Sequence, residues 1–225
     1  MKTLQKIGGL AALYLAAAYI IGMIGFLAVV DISSVAEPVD KVALMAANQS
    51  FLYVMHLVVY VAWGVVMVVL SLALYERLKN TALAMMQTAT VFGIFWGCVI
   101  LISGMIHNAG MQMVVDLYIK DPYQASTIWM TIEAVLGGLA GSNEAIGGIW
   151  ILLLSAVCLR AQQLPRFLNW LGVLVGAAGL ISIIPALDMF IFVFALGQIV
   201  WFIWLGISML QTRSAVMAQH AYQLN

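Results

Sequence analysis

The sequence predicts an all-α fold: an integral membrane bundle of six transmembrane helices with a small outer interfacial helix. Three observations predict it. The first is composition: of 225 residues, 65% are hydrophobic and 8% charged, with a mean hydropathy of +1.08. Soluble domains carry about 25% charged residues, so this chain cannot clothe a water-facing surface and lipid must be most of its solvent. The second is a series of apolar segments near the roughly 20 residues needed to cross a hydrocarbon core of about 30 Å. The third is the placement of the basic residues, which fixes the number of crossings. The net charge of zero leaves no basic face for nucleic acid. The expected partners are the lipid bilayer and a small-molecule ligand; no sequence feature marks an oligomeric state.

Six segments qualify as spans, over about 8–30, 51–75, 81–106, 144–160, 167–187 and 189–210, in a single transmembrane domain covering 1–225. The first follows Lys2 and Lys6 and runs apolar from Ile7 to Val30. It is longer than the roughly 7–15 residues of a signal-peptide core, and no small-residue cleavage site follows, so it reads as a retained anchor. The fourth is short and opens on Glu144. The segment 122–140 reads differently. Asp121 suits an N-cap and Pro122 the first helical turn. Ile128, Ile132, Val135, Leu136 and Leu139 share one face, while Ser126, Glu133 and Gly137 fall elsewhere. That pattern fits an amphipathic helix lying on, or dipping into, the interface.

Positive residues favour cytoplasmic loops. With six spans and the N-terminus inside, Lys2, Lys6, Arg77, Lys79, Arg160, Arg166 and Arg213 are cytoplasmic, and only Lys41 and Lys120 lie outside. Counting 122–140 as a seventh span leaves four basic residues in and five out. Six spans, with both termini cytoplasmic, is the better count. The chain after Pro38 stays helix-compatible to Lys79, with a break expected at Asn48-Gln49-Ser50, and the helix from Thr81 extends past His107 toward Lys120. Both outrun a bilayer, which implies an outer cap built from 31–50, 108–121 and 122–140.

Small residues mark the seams along which helices approach closely in lipid: Ala89, Gly93, Gly97 and Gly104; Gly172, Gly176 and Gly179; Gly22 and Gly25; Gly147 and Gly148. Cys98 and Cys158, both in apolar runs, read as small buried side chains. On these seams, His107 lies three residues beyond Gly104, and Glu144 just before the Gly147-Gly148 pair. His56 shares a stripe with Tyr60, Trp63 and Met67, and Gln198 one with Phe194 and Trp201. Counted from the cytoplasmic ends at 1.5 Å per residue, His56, His107, Glu144 and Asp188 stand about 29, 39, 24 and 32 Å deep. All four therefore fall near the outer boundary. Ionisable groups within or against a membrane are costly and commonly functional, but at the boundary headgroup water makes them cheaper, so the alternatives are one shared outward-facing pocket or separate interfacial anchors, helix caps and salt bridges. The expected outward-facing pocket is His56, Tyr60, His107, Asn108, Glu133, Asn143, Glu144, Asp188 and Gln198.

Several chemistries suit these residue types. His56, His107 and Glu144 offer nitrogen and oxygen ligands to a divalent ion, with Glu133 and Asp188 nearby in depth, although no H-E-x-x-H spacing is present. Met105, Met111 and Met113 around His107 would suit copper(I). His56 and His107 on adjacent helices could hold a haem b. Glu144 or Glu133, with His107 or Asn143 and the Gly-rich turn around Ser142, could serve a membrane-embedded hydrolase acting on an amphiphile. Against that stands a plain helix cap at Asn143 or Ser142. Three spans starting inside followed by three starting outside would permit the inverted repeats of a small transporter. No cofactor is required by the sequence, and enzyme, transporter and binding protein all remain open.

The stretch from Gly141 to Pro185 reads GSNEAIGGIWILLLSAVCLRAQQLPRFLNWLGVLVGAAGLISIIP. Its order is an apolar helix opened by Gly-Gly-x-Trp, ended by Arg160, then Leu164-Pro165-Arg166 and a Leu/Gly-rich helix. It resembles an uncharacterised group of bacterial polytopic membrane proteins known as a domain of unknown function. The resemblance implies a bacterial inner membrane and about six helices. It implies no reaction, ligand or catalytic residue.

Overall fold

Helix α1 (Lys2–Ile24) runs straight into a π-helical turn, Gly25–Val29, closed by Val30 N–H donating to the Gly25 carbonyl at 3.0 Å. The computed structural model describes residues 2–141 and 143–223, with side chains over 3–141 and 143–211. Helix α2 (Pro38–Ala47) begins on a proline and ends at Asn48, where the sequence places its break. Helix α3 (Gln49–His56), a second π-helical turn (Leu57–Ala62) and α4 (Trp63–Leu78) follow without interruption. Then come α5 (Leu83–Tyr118), α6 (Pro122–Leu139), α7 (Glu144–Ala161), α8 (Arg166–Ile181) and α9 (Phe190–Gln223). No strand forms among the described residues.

Five stretches are long and apolar enough to cross a membrane: Thr3–Val29, Gln49–Leu78, Leu83–Tyr118, Pro122–Ala161 and Phe190–Gln211. The expected span 167–187 is shorter than its sequence suggests. Helix α8 has 16 residues, about 24 Å. It stops because Pro185 disfavours helical backbone in the residue before it, while the Ser182 hydroxyl turns back to donate to the Gly179 carbonyl at 2.9 Å. A 3₁₀ turn, Pro185–Leu187, takes up the remainder. Helix α5, with 36 residues, is about 54 Å long.

The chain divides into two compact units. One is Met1–Ala17, Val66–Gly97 and Glu144–Asn225. Its centre is aromatic. Trp96, Trp150, Phe194, Trp201 and Phe202 pack with ring centroids 5.5–6.5 Å apart, and glycines seat them. A Cβ on Gly147 would stand 2.7 Å from the Trp96 ring, and one on Gly148 would stand 2.7 Å from the Gly176 carbonyl oxygen. Helices α7 and α8 therefore pack nearly backbone to backbone, as the small-residue stripes anticipate. The α7–α8 turn puts Gln162 (φ 51°) and Leu164 (φ 64°) in the left-handed region. Gln163 N–H closes it onto the Cys158 carbonyl at 3.0 Å, a helix ending that normally favours glycine at the Gln162 position. Cys158 is buried, but Cys98 is exposed. The expectation that both cysteines are buried is corrected for Cys98, which lies on the outward side of α5.

The other unit is Ala18–Val65 and Cys98–Asn143. Its core joins Val30, Val42, Met45, Leu52, Met111, Val114, Ala125 and Trp129. Asp121 caps α6 as expected, accepting from Gln124 N–H at 3.0 Å. The buried face of α6 is rotated from the predicted one. Ala125, Ser126, Trp129 and Leu136 turn inward and Val135 outward, because the large Trp129 ring is the group that fills the space against α2 and α5. Asp31 organises the turn after α1. The Ser33 hydroxyl donates to its carboxylate at 2.5 Å and Ser34 N–H at 3.1 Å. These bonds, the Ser33 hydroxyl first, hold the carboxyl below its ordinary range.

Candidate functional site: an imidazole pair in a cavity

The second unit carries a partly open cavity of about 600 Å³, within the roughly 300–1,000 Å³ typical of ligand pockets. Its wall is mostly apolar: Phe26, Leu27, Val30, Ile32, Met45, Leu52, Met111 and Leu136. The polar groups on it are few, namely Ser33, Lys41, His56, Tyr60, His107 and Glu133.

The two π-helical turns both reach this wall. Phe26 and Leu27 belong to the first and Tyr60 to the second, while His56 immediately precedes the second. A π-helical turn carries one residue more than an α-turn, is rare, and is frequently found at functional sites. On the facing helix, Gly104 makes the approach feasible. A Cβ there would lie 2.5 Å from the Tyr60 Cβ and 3.1 Å from a Val61 methyl. With no side chain at 104, the backbone beside Tyr60 comes close enough for the two imidazoles to meet.

The His56 and His107 ring centroids are 4.6 Å apart. Tyr60 lies 5.8 Å from His56 and 5.0 Å from His107. Phe26 stacks on His56 at 5.7 Å, and Trp129 sits 6.5 Å from His107. The hydrogen bonds of the imidazoles assign their tautomers. Asn108 Nδ2 donates to the Tyr53 carbonyl at 3.4 Å, which turns Asn108 Oδ1 toward His56. His56 Nδ1 therefore donates to that oxygen, at 2.9 Å. His107 Nδ1 donates to the Ser103 carbonyl at 2.9 Å. In the neutral rings each Nε2 is then an acceptor. Among the described residues neither Nε2 has a hydrogen-bond partner, and both rings line the cavity. Lys41 Nζ pairs with Glu133 Oε1 at 3.5 Å, so the wall carries one charge of each sign.

The remaining expected site residues lie elsewhere. Asn143 donates to the Ala140 carbonyl at the end of α6, and Ser142 lies outside the described residues. Glu144 opens α7, in the other unit, where its carboxylate meets the positive end of the helix dipole. Asp188 is exposed and follows the 3₁₀ turn. Gln198 is 0% exposed, and both polar atoms of its amide lack a hydrogen-bond partner among the described residues.

Among the described residues no three His, Cys, Asp or Glu side chains gather as a metal site, so the set His56, His107 and Glu144 is not assembled. The copper cluster also separates. Met111 is buried on the cavity wall while Met105 and Met113 are exposed, because at about 100° per residue they stand on the opposite side of α5 from His107 and Met111. A haem iron gripped from both sides through bonds of about 2 Å would hold the imidazole centroids about 6 Å apart. At 4.6 Å these rings leave no room for it.

Over residues 10–207 the sequence matches the family described as a domain of unknown function (DUF4386). The chain belongs to this family. The match extends the resemblance seen at 141–185 to nearly the whole chain, so both units described above fall within the DUF4386 domain. No curated protein and no solved structure matches the chain. Among the polar and aromatic groups of the cavity, those the sequence did not single out are Phe26, Ser33, Lys41 and Trp129. Lys41 and Glu133 are both visible as polar residues of the outer segments, but their pairing depends on α2 packing against α6.

Proposed function

We propose that this DUF4386 chain is a multi-pass protein of the bacterial cytoplasmic membrane that binds a small ligand in the cavity of its 18–65/98–143 unit. It crosses six times with both termini in the cytoplasm. The five long apolar helices and the seven-to-two division of basic residues support this topology, with α8 as the short sixth span. Helices α2 and α6 and the far end of α5 then stand on the outer side, α6 as the interfacial helix. The reading is favoured by the length of α5, nearly twice a hydrocarbon core, and by the ion pair between α2 and α6.

The observation that carries the binding role is the imidazole pair. Two rings from different helices meet at 4.6 Å on a cavity wall, each held by its Nδ1 and each offering an unpartnered Nε2. Mere packing would be served as well by apolar rings without the cost of placing two polar groups in an apolar unit. The test is co-purification. Full-length protein extracted into lipid nanodiscs should carry a bound small molecule detectable by mass spectrometry after denaturation. The same molecule should be lost from Leu136→Trp, which fills the cavity. Equal recovery from both proteins refutes the proposal. For the topology, a cysteine placed at 225 should be shielded in intact cells from an impermeant thiol reagent, and one at 120 should react.

A further inference from the structure

The hydrogen-bond pattern of the cavity defines the head group it accepts. We infer that the ligand is an uncharged single-chain amphiphile whose head carries two hydroxyl groups, of the monoacylglycerol class. The head-group assignment rests on the cavity being a ligand site, as proposed above, and adds the chemistry of the occupant.

The argument begins with the two acceptors. His56 Nδ1 and His107 Nδ1 are both committed as donors, so each of the two rings, 4.6 Å apart on the cavity wall, keeps one lone pair at Nε2. A buried acceptor without a donor is costly, and each must be matched by a separate O–H or N–H. Carbonyls, esters and carboxylates bring only lone pairs and would be repelled. A single hydroxyl has one proton to give and leaves one ring unsatisfied. A head with two hydroxyls supplies both protons, and the Tyr60 hydroxyl on the same wall is free to donate back to one of them.

Charge removes the cationic alternative. Lys41 and Glu133 neutralise each other at 3.5 Å, so the wall carries no net negative charge to balance an ammonium. The remaining wall is aliphatic and aromatic, suited to an acyl chain. Leu27, one of the wall residues, is 60% exposed and stands beside exposed Met23, Ile24 and Val29. That apolar flank gives a chain a path from lipid to the polar end of the cavity.

The experiment uses the full chain in nanodiscs and four probes of equal chain length: 1-dodecanoylglycerol, methyl dodecanoate, dodecanoate and dodecylamine. Binding is measured at pH 8 by competition against a fluorescent monoacylglycerol. The glycerol ester should bind tighter than the methyl ester by roughly tenfold or more. His56→Phe and His107→Phe should each remove most of that difference while leaving methyl dodecanoate binding little changed. Equal or tighter binding of the methyl ester, the carboxylate or the amine to the wild-type protein overturns the head-group assignment, with no dependence on how any variant folds. So does stoichiometric Zn²⁺ binding that disappears in the two histidine variants. Leu136→Trp separates the two levels of the argument. If it abolishes binding of all four probes but the wild-type protein does not prefer the glycerol ester, only the head-group assignment fails. If it affects none of them, the cavity itself is not the site.

Discussion

The hydrogen bond between His56 and Asn108 makes a quantitative prediction. His56 is 5% exposed and Asn108 7%, so neither group can exchange its partner for water. Replacing Asn108 with Leu leaves the His56 Nδ1–H without an acceptor, at a cost of about 1–3 kcal/mol. The Tyr53 carbonyl loses only a 3.4 Å contact, too long to add much. Replacing His56 with Phe strands the Asn108 oxygen at a similar cost. The double variant strands neither, so its destabilisation should fall below the sum of the two. Coupling energies of polar pairs in membrane proteins average about 0.6 kcal/mol and reach about 1.7, and this fully buried pair belongs toward the upper end. The assay is reversible unfolding in SDS, run on the wild type, both single variants and the double. His107→Phe serves as contrast, because its Nδ1 partner is a helix carbonyl that keeps its place in the backbone ladder. It should cost less than His56→Phe. Additivity of the two substitutions within about 0.3 kcal/mol would refute the claim that His56 and Asn108 are held by one another.

Three further outcomes follow from particular contacts. Gly104→Val drives side-chain atoms into Tyr60 and Val61, where even a Cβ would come within 2.5 Å of the Tyr60 Cβ. It should destabilise by about 1–3 kcal/mol and abolish monoacylglycerol binding, as read by SDS unfolding and the competition assay. Gln162→Gly relieves a left-handed backbone, φ 51°, at a helix ending that prefers glycine. It should stabilise by about 0.5–1 kcal/mol, seen as a higher unfolding midpoint. Lys41→Met removes one side of an ion pair whose side chains are 24% and 36% exposed. It should change stability by no more than about 1 kcal/mol, and a larger loss would mean that the pair is sealed from water.

The helical class, the break at Asn48, the cap at Asp121 and the over-length α5 were all legible in the sequence, because each is a local property of composition, periodicity or a single residue. The glycine stripes of α7 and α8 were legible for the same reason: close approach requires a missing side chain wherever it occurs. What sequence reasoning could not supply is azimuth. Counting residues from a helix end gives depth, and depth alone groups His56, His107, Glu144 and Asp188. It does not say which way each side chain faces or which helix lies opposite. That is why Glu144 and Asp188 lie in the other unit, while Lys41, which the sequence offered only as an outer charge, borders the cavity. The methionines show the same gap. Met105, Met111 and Met113 are close in sequence and in height, yet only Met111 faces the cavity.

The π-helical turns explain how His56 and Tyr60 reach the cavity wall although the stripe they share with Trp63 and Met67 is interrupted. Among the described residues both of them, Gly25–Val29 and Leu57–Ala62, lie in the unit that holds the cavity. Each inserts one residue into an otherwise regular helix, which turns everything beyond it by about 100°. The stripe His56, Tyr60, Trp63 and Met67 assumes an unbroken α-helical period. The inserted residue falls between His56 and Trp63, so the face that carries His56 is set independently of the buried face of α4. The same device at the end of α1 swings Phe26 and Leu27 onto the cavity wall. A regular helix would tie the direction of its polar residues to its packing seam. These two turns release that tie, and they do so where the unpartnered imidazole nitrogens stand.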